Sequence, residues 1–371
     1  MRKGILVLII LLLLVTLLSA YFLVRQRETP GTHASITVTD ALGRTVQIAL
    51  PISKVIITGK GSWPIVTVAY MFPSAKNLLY GLSELTDVPL LRMVDPDIES
   101  KIVPTMGGIP NVEEIAAENP DVVILKTTMK SRLGDQLEEL GINVVYVDLE
   151  DLDSYLRDVM VLGKIFGDEA KAEKMVEYYN ETYHFVLSRT FTLTNDEKPR
   201  VLLLYYSAKG GTVSFKVPGE RWLQTFMIET AGSYSLSKES PGTGWNTVSF
   251  EQIAEWNPDI IFVVTYSGSP SAEDMKNMLL QDPQWQSMKA VISGKVYAVP
   301  HDCNNVGALG SWDTPGSRWI LGLEWMATKI QPSLFQDVNM TEEAKSFYME
   351  MYGLSERDAA TVVEAVCGDF P

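Results

Sequence analysis

NVEEIAAENPDVVIL at residues 111–125 returns in altered form as SFEQIAEWNPDIIFV at residues 249–263. Glu113 matches Glu251, Ile115 matches Ile253, Ala116 matches Ala254, and Asn119-Pro120-Asp121 matches Asn257-Pro258-Asp259. In each copy a short helical stretch stops ahead of a proline, because proline disfavours the α conformation in the residue before it. An unbroken apolar run follows, as in a strand buried on both faces. Each copy therefore reads as one helix–strand unit of a parallel α/β sheet. Its presence in both halves predicts two similar lobes with a ligand cleft between them.

The flanking sequence extends this pattern. Residues 36–50 alternate around Asp40-Ala41-Leu42-Gly43-Arg44, the signature of a hairpin. VIIT (55–58), NLLYGL (77–82) and NVVYVDL (143–149) supply further strands, so residues 36–151 read as one α/β lobe. Apolar residues at helical spacing run from Leu152 through Phe166 and on to Val186. They predict a connecting helix over 152–190, either one long helix bent at Gly163 or Gly167 or two ordinary helices. RVLLLYY (200–206) restarts the alternation, and residues 191–371 read as the second lobe, with helices near 220–231, 272–280 and 315–330.

Composition limits the function. The chain has 371 residues, 21% of them charged, with a formal net charge of −15. Four basic residues (Arg2, Lys3, Arg25 and Arg27) flank the uncharged stretch 5–24; the remainder holds 27 basic against 46 acidic residues. Such a surface repels phosphate backbones and excludes nucleic acid as a partner. Residues 1–24 read as an export signal or a membrane anchor, with a polar linker at 25–35, and either reading puts the rest of the chain outside the cytoplasm. Cys303 and Cys367 form one disulfide or remain two free thiols. No Cys/His cluster suits structural zinc.

Ligands of open parallel sheets bind beyond the carboxyl ends of the strands. Those ends place Lys60, Trp63, Lys126, Thr127, Lys209, Tyr266 and His301 at the cleft. Gly107 and Trp245, which precede the two copies of the repeat, fall at its mouth. His301 beside Asp302 is a possible metal contact, although three histidines in total do not make a metal cluster. Phosphate-loop, nucleophile-elbow and HExxH signatures are absent, which favours binding over catalysis, with no cofactor.

Taken in order, these segments resemble a known family. VTDALGRTVQI followed by ISKVII, the two repeat units, GKVYAVP (294–300) and SWDTPGSRWILGLEWMA (311–327) are similar to the substrate-binding proteins of ABC importers for ferric siderophores, haem and cobalamin. The resemblance covers about residues 36–330. It implies two Rossmann-like lobes joined by one rigid helix, a monomer, and delivery of a small solute to a membrane permease. It also implies an acidic residue on each lobe that meets permease arginines: Glu229 by motif position, and Glu99 as the nearest first-lobe counterpart. Lys60, Lys126, Lys209 and Arg318, together with Trp63, Tyr266 and Trp312, suit an anionic metal chelate. SWDTPGSRW also looks like the segment of members proposed for oxyanions or nickel, so molybdate, tungstate, nickel or cobalt species are the alternative. A chelatase-like enzyme is the alternative of another class.

Overall fold

A computed structural model describes residues 34–82, 89–102, 110–209, 212–240, 242–266, 269–303 and 310–370. The uncharged segment 5–24, most of the linker, and Gly107 lie outside the described residues.

The hairpin pairs β1 (Ser35–Thr39) with β2 (Thr45–Ala49). Asp40 builds its turn by accepting the amides of Leu42 and Arg44, both at 3.0 Å. A four-stranded, all-parallel sheet follows: β3 (Val55–Ile57), β4 (Leu79–Leu82), β5 (Val122–Lys126) and β6 (Val144–Val147), in the order β4-β3-β5-β6. The second sheet contains β7 (Arg200–Lys209), β8 (Thr212–Val217), β9 (Tyr234–Ser235), β10 (Asn246–Val248), β11 (Ile260–Val264) and β12 (Val296–Ala298). Its order is β10-β8-β7-β11-β12, with β9 beside β7.

This second sheet is mixed, which corrects the expectation of two parallel sheets. β8 runs antiparallel to both β7 and β10. Only Gly210-Gly211 separates β7 from β8 in sequence, far too short for a parallel crossover.

The repeat has a mechanical role at the opposite edge from the loops it feeds. Asn119 and Asn257 hold φ of 48° and 44°, the left-handed conformation that asparagine tolerates and that ends a helix. The helices they end, Val112–Ala117 and Phe250–Trp256, are capped at their starts by Asn111 and Ser249. The aspartate two residues on then clamps the neighbouring strand. Asp121 donates its amide to the Lys54 carbonyl at 2.9 Å, and its carboxylate accepts the Lys54 amide at 2.8 Å. Asp259 does the same with Arg200, at 2.9 Å in both directions. Each clamp fixes register, pairing Val55 with Val122 and Val201 with Ile260.

Strand residues alternate between two cores, which explains why the strands read as unbroken apolar runs. Val55, Ile57, Val122, Ile124, Val201, Leu203, Ile260 and Phe262 join one cluster. Ile56, Val123 and Leu125 face a second, and Leu202, Leu204, Ile261 and Val263 a third. The first cluster is continuous from Ile57 through Tyr155, Tyr179 and Trp319 to Tyr348, so both sheets share it.

Five helices frame the site: α1 (Trp63–Ala69), α2 (Leu152–Phe166), α3 (Glu169–Thr190), α4 (Leu223–Thr230) and α5 (Trp319–Ile330). Residues 152–190 are therefore two helices rather than one continuous rod. Gly167 takes φ 70° at the break, and Asp168 restarts the helix by accepting the Lys171 amide at 3.0 Å. The chain then folds back on itself. A Cβ on Gly163 would lie 2.4 Å from that of Ala172, and the hydroxyls of Tyr155 and Tyr179 meet at 2.9 Å.

α5 carries a carboxyl in a hostile setting. Glu324 is 5% exposed, and its Oε2 lacks a hydrogen-bond partner. Burial, with Glu343 adding repulsion, pushes its pKa up to about 8. A carboxyl raised in the fold holds its proton longer there than in the unfolded chain. The stability it contributes is therefore complete below pH 4.5, falls as pH rises toward 8, and is lost above that. Glu324→Gln is expected to be more stable than the wild type by an amount on the order of 2–5 kcal/mol at pH 9 and to match it near pH 4. Denaturant unfolding across that range checks this; equal stabilities at pH 9 refute it.

Candidate ligand-binding site

The carboxyl ends of the strands in both sheets converge on a cavity of about 280 Å³. The first sheet contributes Lys60, Trp63, Lys126, Thr128 and Glu150. The second contributes Trp222, Gln224, Trp245 and Tyr266, and the segment before α5 adds Thr314 and Pro315.

Each wall residue is held by a local device. Gly59 and Gly61 take φ of 88° and 75° and carry the chain out of β3 around Lys60. Trp63-Pro64 then opens α1, so this tryptophan belongs to a first helical turn rather than a loop. Lys126 ends β5 nearly buried, with its ammonium donating to the Asp148 carbonyl and to Glu150 Oε1. Its charge is thus already balanced inside the cavity. The Asp148–Leu149 turn that supplies these partners is pinned by Asp158, which accepts both amides, at 2.6 and 3.0 Å.

Tyr266 sits at φ 48°, an unusual backbone for tyrosine, and turns the chain sharply after β11. Its ring centroid lies 4.9 Å from Tyr205 and 5.8 Å from Trp245, and Trp222 lies 5.3 Å from Trp245. The Tyr266 hydroxyl donates to Asp313, which is completely buried and also accepts the Ser311 hydroxyl at 2.5 Å. Burial pushes the Tyr266 phenol well above its ordinary range, and the Asp313 charge adds to this. Burial likewise raises the Asp313 carboxyl, opposed by hydrogen bonds from Ser311, Tyr266 and Gln224.

Lys60, Trp63, Lys126, Trp245 and Tyr266 are thus brought together. The other expected residues lie elsewhere. Thr127 turns from the cavity to donate to Asp148 at 3.1 Å, and its neighbour Thr128 lines the wall instead. Trp312 is fully buried against Phe370, with ring centroids 5.1 Å apart. Arg318 is 2% exposed at the start of α5 and ion-pairs with Asp302. Both face inward because Thr314 folds back on the Ser311 carbonyl at 2.6 Å, turning Thr314-Pro315 to the cavity. His301 belongs to the small pair of β13 (His301–Asp302) with β14 (Val366–Cys367). It contacts the Val299 carbonyl at 3.0 Å and Glu273 at 3.6 Å. Among the described residues no group of three or more His, Cys, Asp or Glu side chains could hold a metal ion. Lys209 ends β7, and its side chain lies outside the described residues.

Trp222 and Gln224 were not expected. Trp222 flanks a helix start and Gln224 sits inside the helix, and neither position follows a strand end. Glu229, on the same helix, pairs with Lys238 at 2.9 Å beside Lys198 and Arg200. Glu99 is exposed and accepts from Arg92 Nε at 2.8 Å.

Comparison with known proteins agrees with this architecture. The molybdate-binding protein MolA of Haemophilus influenzae is 23% identical over 281 residues, covering 70% of this chain and 75% of that protein. The iron-uptake system-binding protein of Bacillus subtilis is 24% identical, covering 86% and 96%. A periplasmic solute-binding protein of Veillonella parvula superimposes with a TM-score of 0.69 at 24% identity, covering 89% and 99%. The model of the family described as "Periplasmic binding protein" matches residues 90–303, more than half of the chain. A member of that family acts outside the cytoplasm, binds a small solute for an ABC importer and is not an enzyme. With both strand edges meeting at one cavity and the family match spanning both, this chain belongs to the periplasmic binding protein family.

Proposed function

We propose that this protein captures an anionic metal chelate, of the ferric siderophore, haem or corrinoid type, and delivers it to an ABC importer. The observation that carries this reading is the composition of the cavity. Four rings (Trp63, Trp222, Trp245 and Tyr266) line it together with Lys60, an exposed cation with no ion-pair partner among the described residues. Broad apolar walls with a cation suit an organic shell bearing negative charge.

In this reading residues 36–151 and 191–371 act as two lobes, with α3 as the strut between them. The shared core and the lock between α1 and the segment before α5 favour a small closing motion. In that lock the Ser317 amide donates to Thr67 Oγ1 at 3.1 Å, and Tyr352 donates to the Thr67 carbonyl at 2.8 Å. Glu99 and Glu229 are proposed as permease contacts, and residues 1–24 as the signal or membrane anchor. The second reading, a bare oxyanion, draws on the similarity to MolA.

Calorimetry of the purified protein with ferric hydroxamate and catecholate siderophores, haem, cobinamide and molybdate tests the assignment. Trp245→Ala is expected to weaken chelate binding by roughly 10–100-fold without changing the circular dichroism spectrum. Failure of every chelate to bind the wild type overturns this reading; tight molybdate binding alone selects the second.

A further inference from the structure

One side chain of the cavity wall carries a buried polar atom without a partner. Gln224 lines the cavity at 3% exposure, and its side-chain oxygen is buried without a hydrogen bond. The orientation of its amide follows from chemistry. Its side chain sits beside Asp313, and with the NH₂ turned toward that carboxylate, which accepts, the oxygen is left over. An amide oxygen stranded in this way is rare in protein interiors, and a ligand or an ordered water is the usual remedy.

An acceptor nearby points the same way. Glu150 lines the cavity too, as an acceptor balanced by Lys126. A solute that offers only acceptors can pair with Lys60 but has nothing to donate to Glu150 or Gln224.

We propose that Gln224 accepts a hydrogen bond from the bound solute, whose inner face therefore carries an N–H or O–H donor. This rests on the cavity being the solute site. It narrows the solute to a metal complex bearing coordinated amines, amide N–H groups or metal-bound water. A bare tetrahedral oxyanion leaves the Gln224 oxygen unpaired, and a site built around such a bond rejects solutes that cannot make it.

The test titrates the full-length protein with two donor-bearing probes, nickel(II) bis-histidine and a ferric tris-hydroxamate with free amide N–H groups. Molybdate and tungstate serve as acceptor-only probes. A donor-bearing probe is expected to bind at least ~10-fold more tightly than either oxyanion. Gln224→Met is expected to weaken that probe by about 10-fold while moving oxyanion affinity less than about twofold. An oxyanion that outbinds both donor-bearing probes overturns the proposal. So does a Gln224→Met variant unchanged for the donor-bearing probe while Trp245→Ala loses it; a resident water then satisfies the amide, and the cavity stands as the solute site. If neither variant changes binding, the cavity reading falls and this proposal with it.

Discussion

Asp302→Ala is expected to cost about 3–5 kcal/mol of stability, the usual result of removing one partner from a buried ion pair. Asp302 and Arg318 are 4% and 2% exposed, and the guanidinium loses its carboxylate in a region that water does not reach. Against a total stability of roughly 5–15 kcal/mol, this is enough to populate the unfolded chain near body temperature. The loss is a framework effect, because Arg318 starts α5 and Asp302 belongs to β13, and neither lines the cavity. Asp302→Asn keeps the shape and an acceptor oxygen, so it is expected to lose less than alanine. Urea unfolding of the three proteins measures this; an alanine variant within 1 kcal/mol of the wild type overturns it.

The second large effect comes from the adjoining residue. Cys303 is bonded to Cys367 across a separation of 64 residues. Closing a loop of that length removes unfolded-chain entropy worth about 4 kcal/mol at 25 °C. Cys303→Ser with Cys367→Ser, or reduction of the wild type, is expected to lower stability by about that amount, read as a drop in the urea midpoint. The bond also holds β14 against β13 and so supports Asp302. Combined with Asp302→Ala, the losses are therefore expected to be less than additive. Full additivity means that the two elements fail independently. A covalent tie of this kind persists in an oxidising compartment, which agrees with a site of action outside the cytoplasm.

Much of the fold was legible because its strands are buried on both faces, and short apolar runs such as VVIL and IIFVV, each opened by an Asn-Pro-Asp turn, mark such strands. The antiparallel β8 and β10 were not, since VSF and NTV carry no such run; the Gly210-Gly211 pair in the sequence was the signal for β8. The break at Gly167 was visible as a glycine, but only the left-handed backbone and the Asp168 cap decide between a bend and a reversal. At the site, strand-end logic found Lys60, Lys126 and Tyr266, which follow their strands directly. It also named Thr127 and His301, which turn to other partners. Trp312 and Arg318, drawn from the 311–327 segment, face inward because direction within a compact turn depends on side-chain hydrogen bonds that spacing does not encode. Gln224 was out of reach because it sits within a helix, and only its orphaned oxygen distinguishes it.

The two aspartate clamps of the repeat lie at the amino ends of the strands, whereas every cavity residue that follows a strand lies at the carboxyl end. Register and recognition are therefore written at opposite edges of the same sheets. Such a chain can exchange the contents of one edge while the other keeps the frame in place. For an engineer, the loops around Lys60, Lys126 and Tyr266 are replaceable parts, and Asp121 and Asp259 are the fixtures to leave alone.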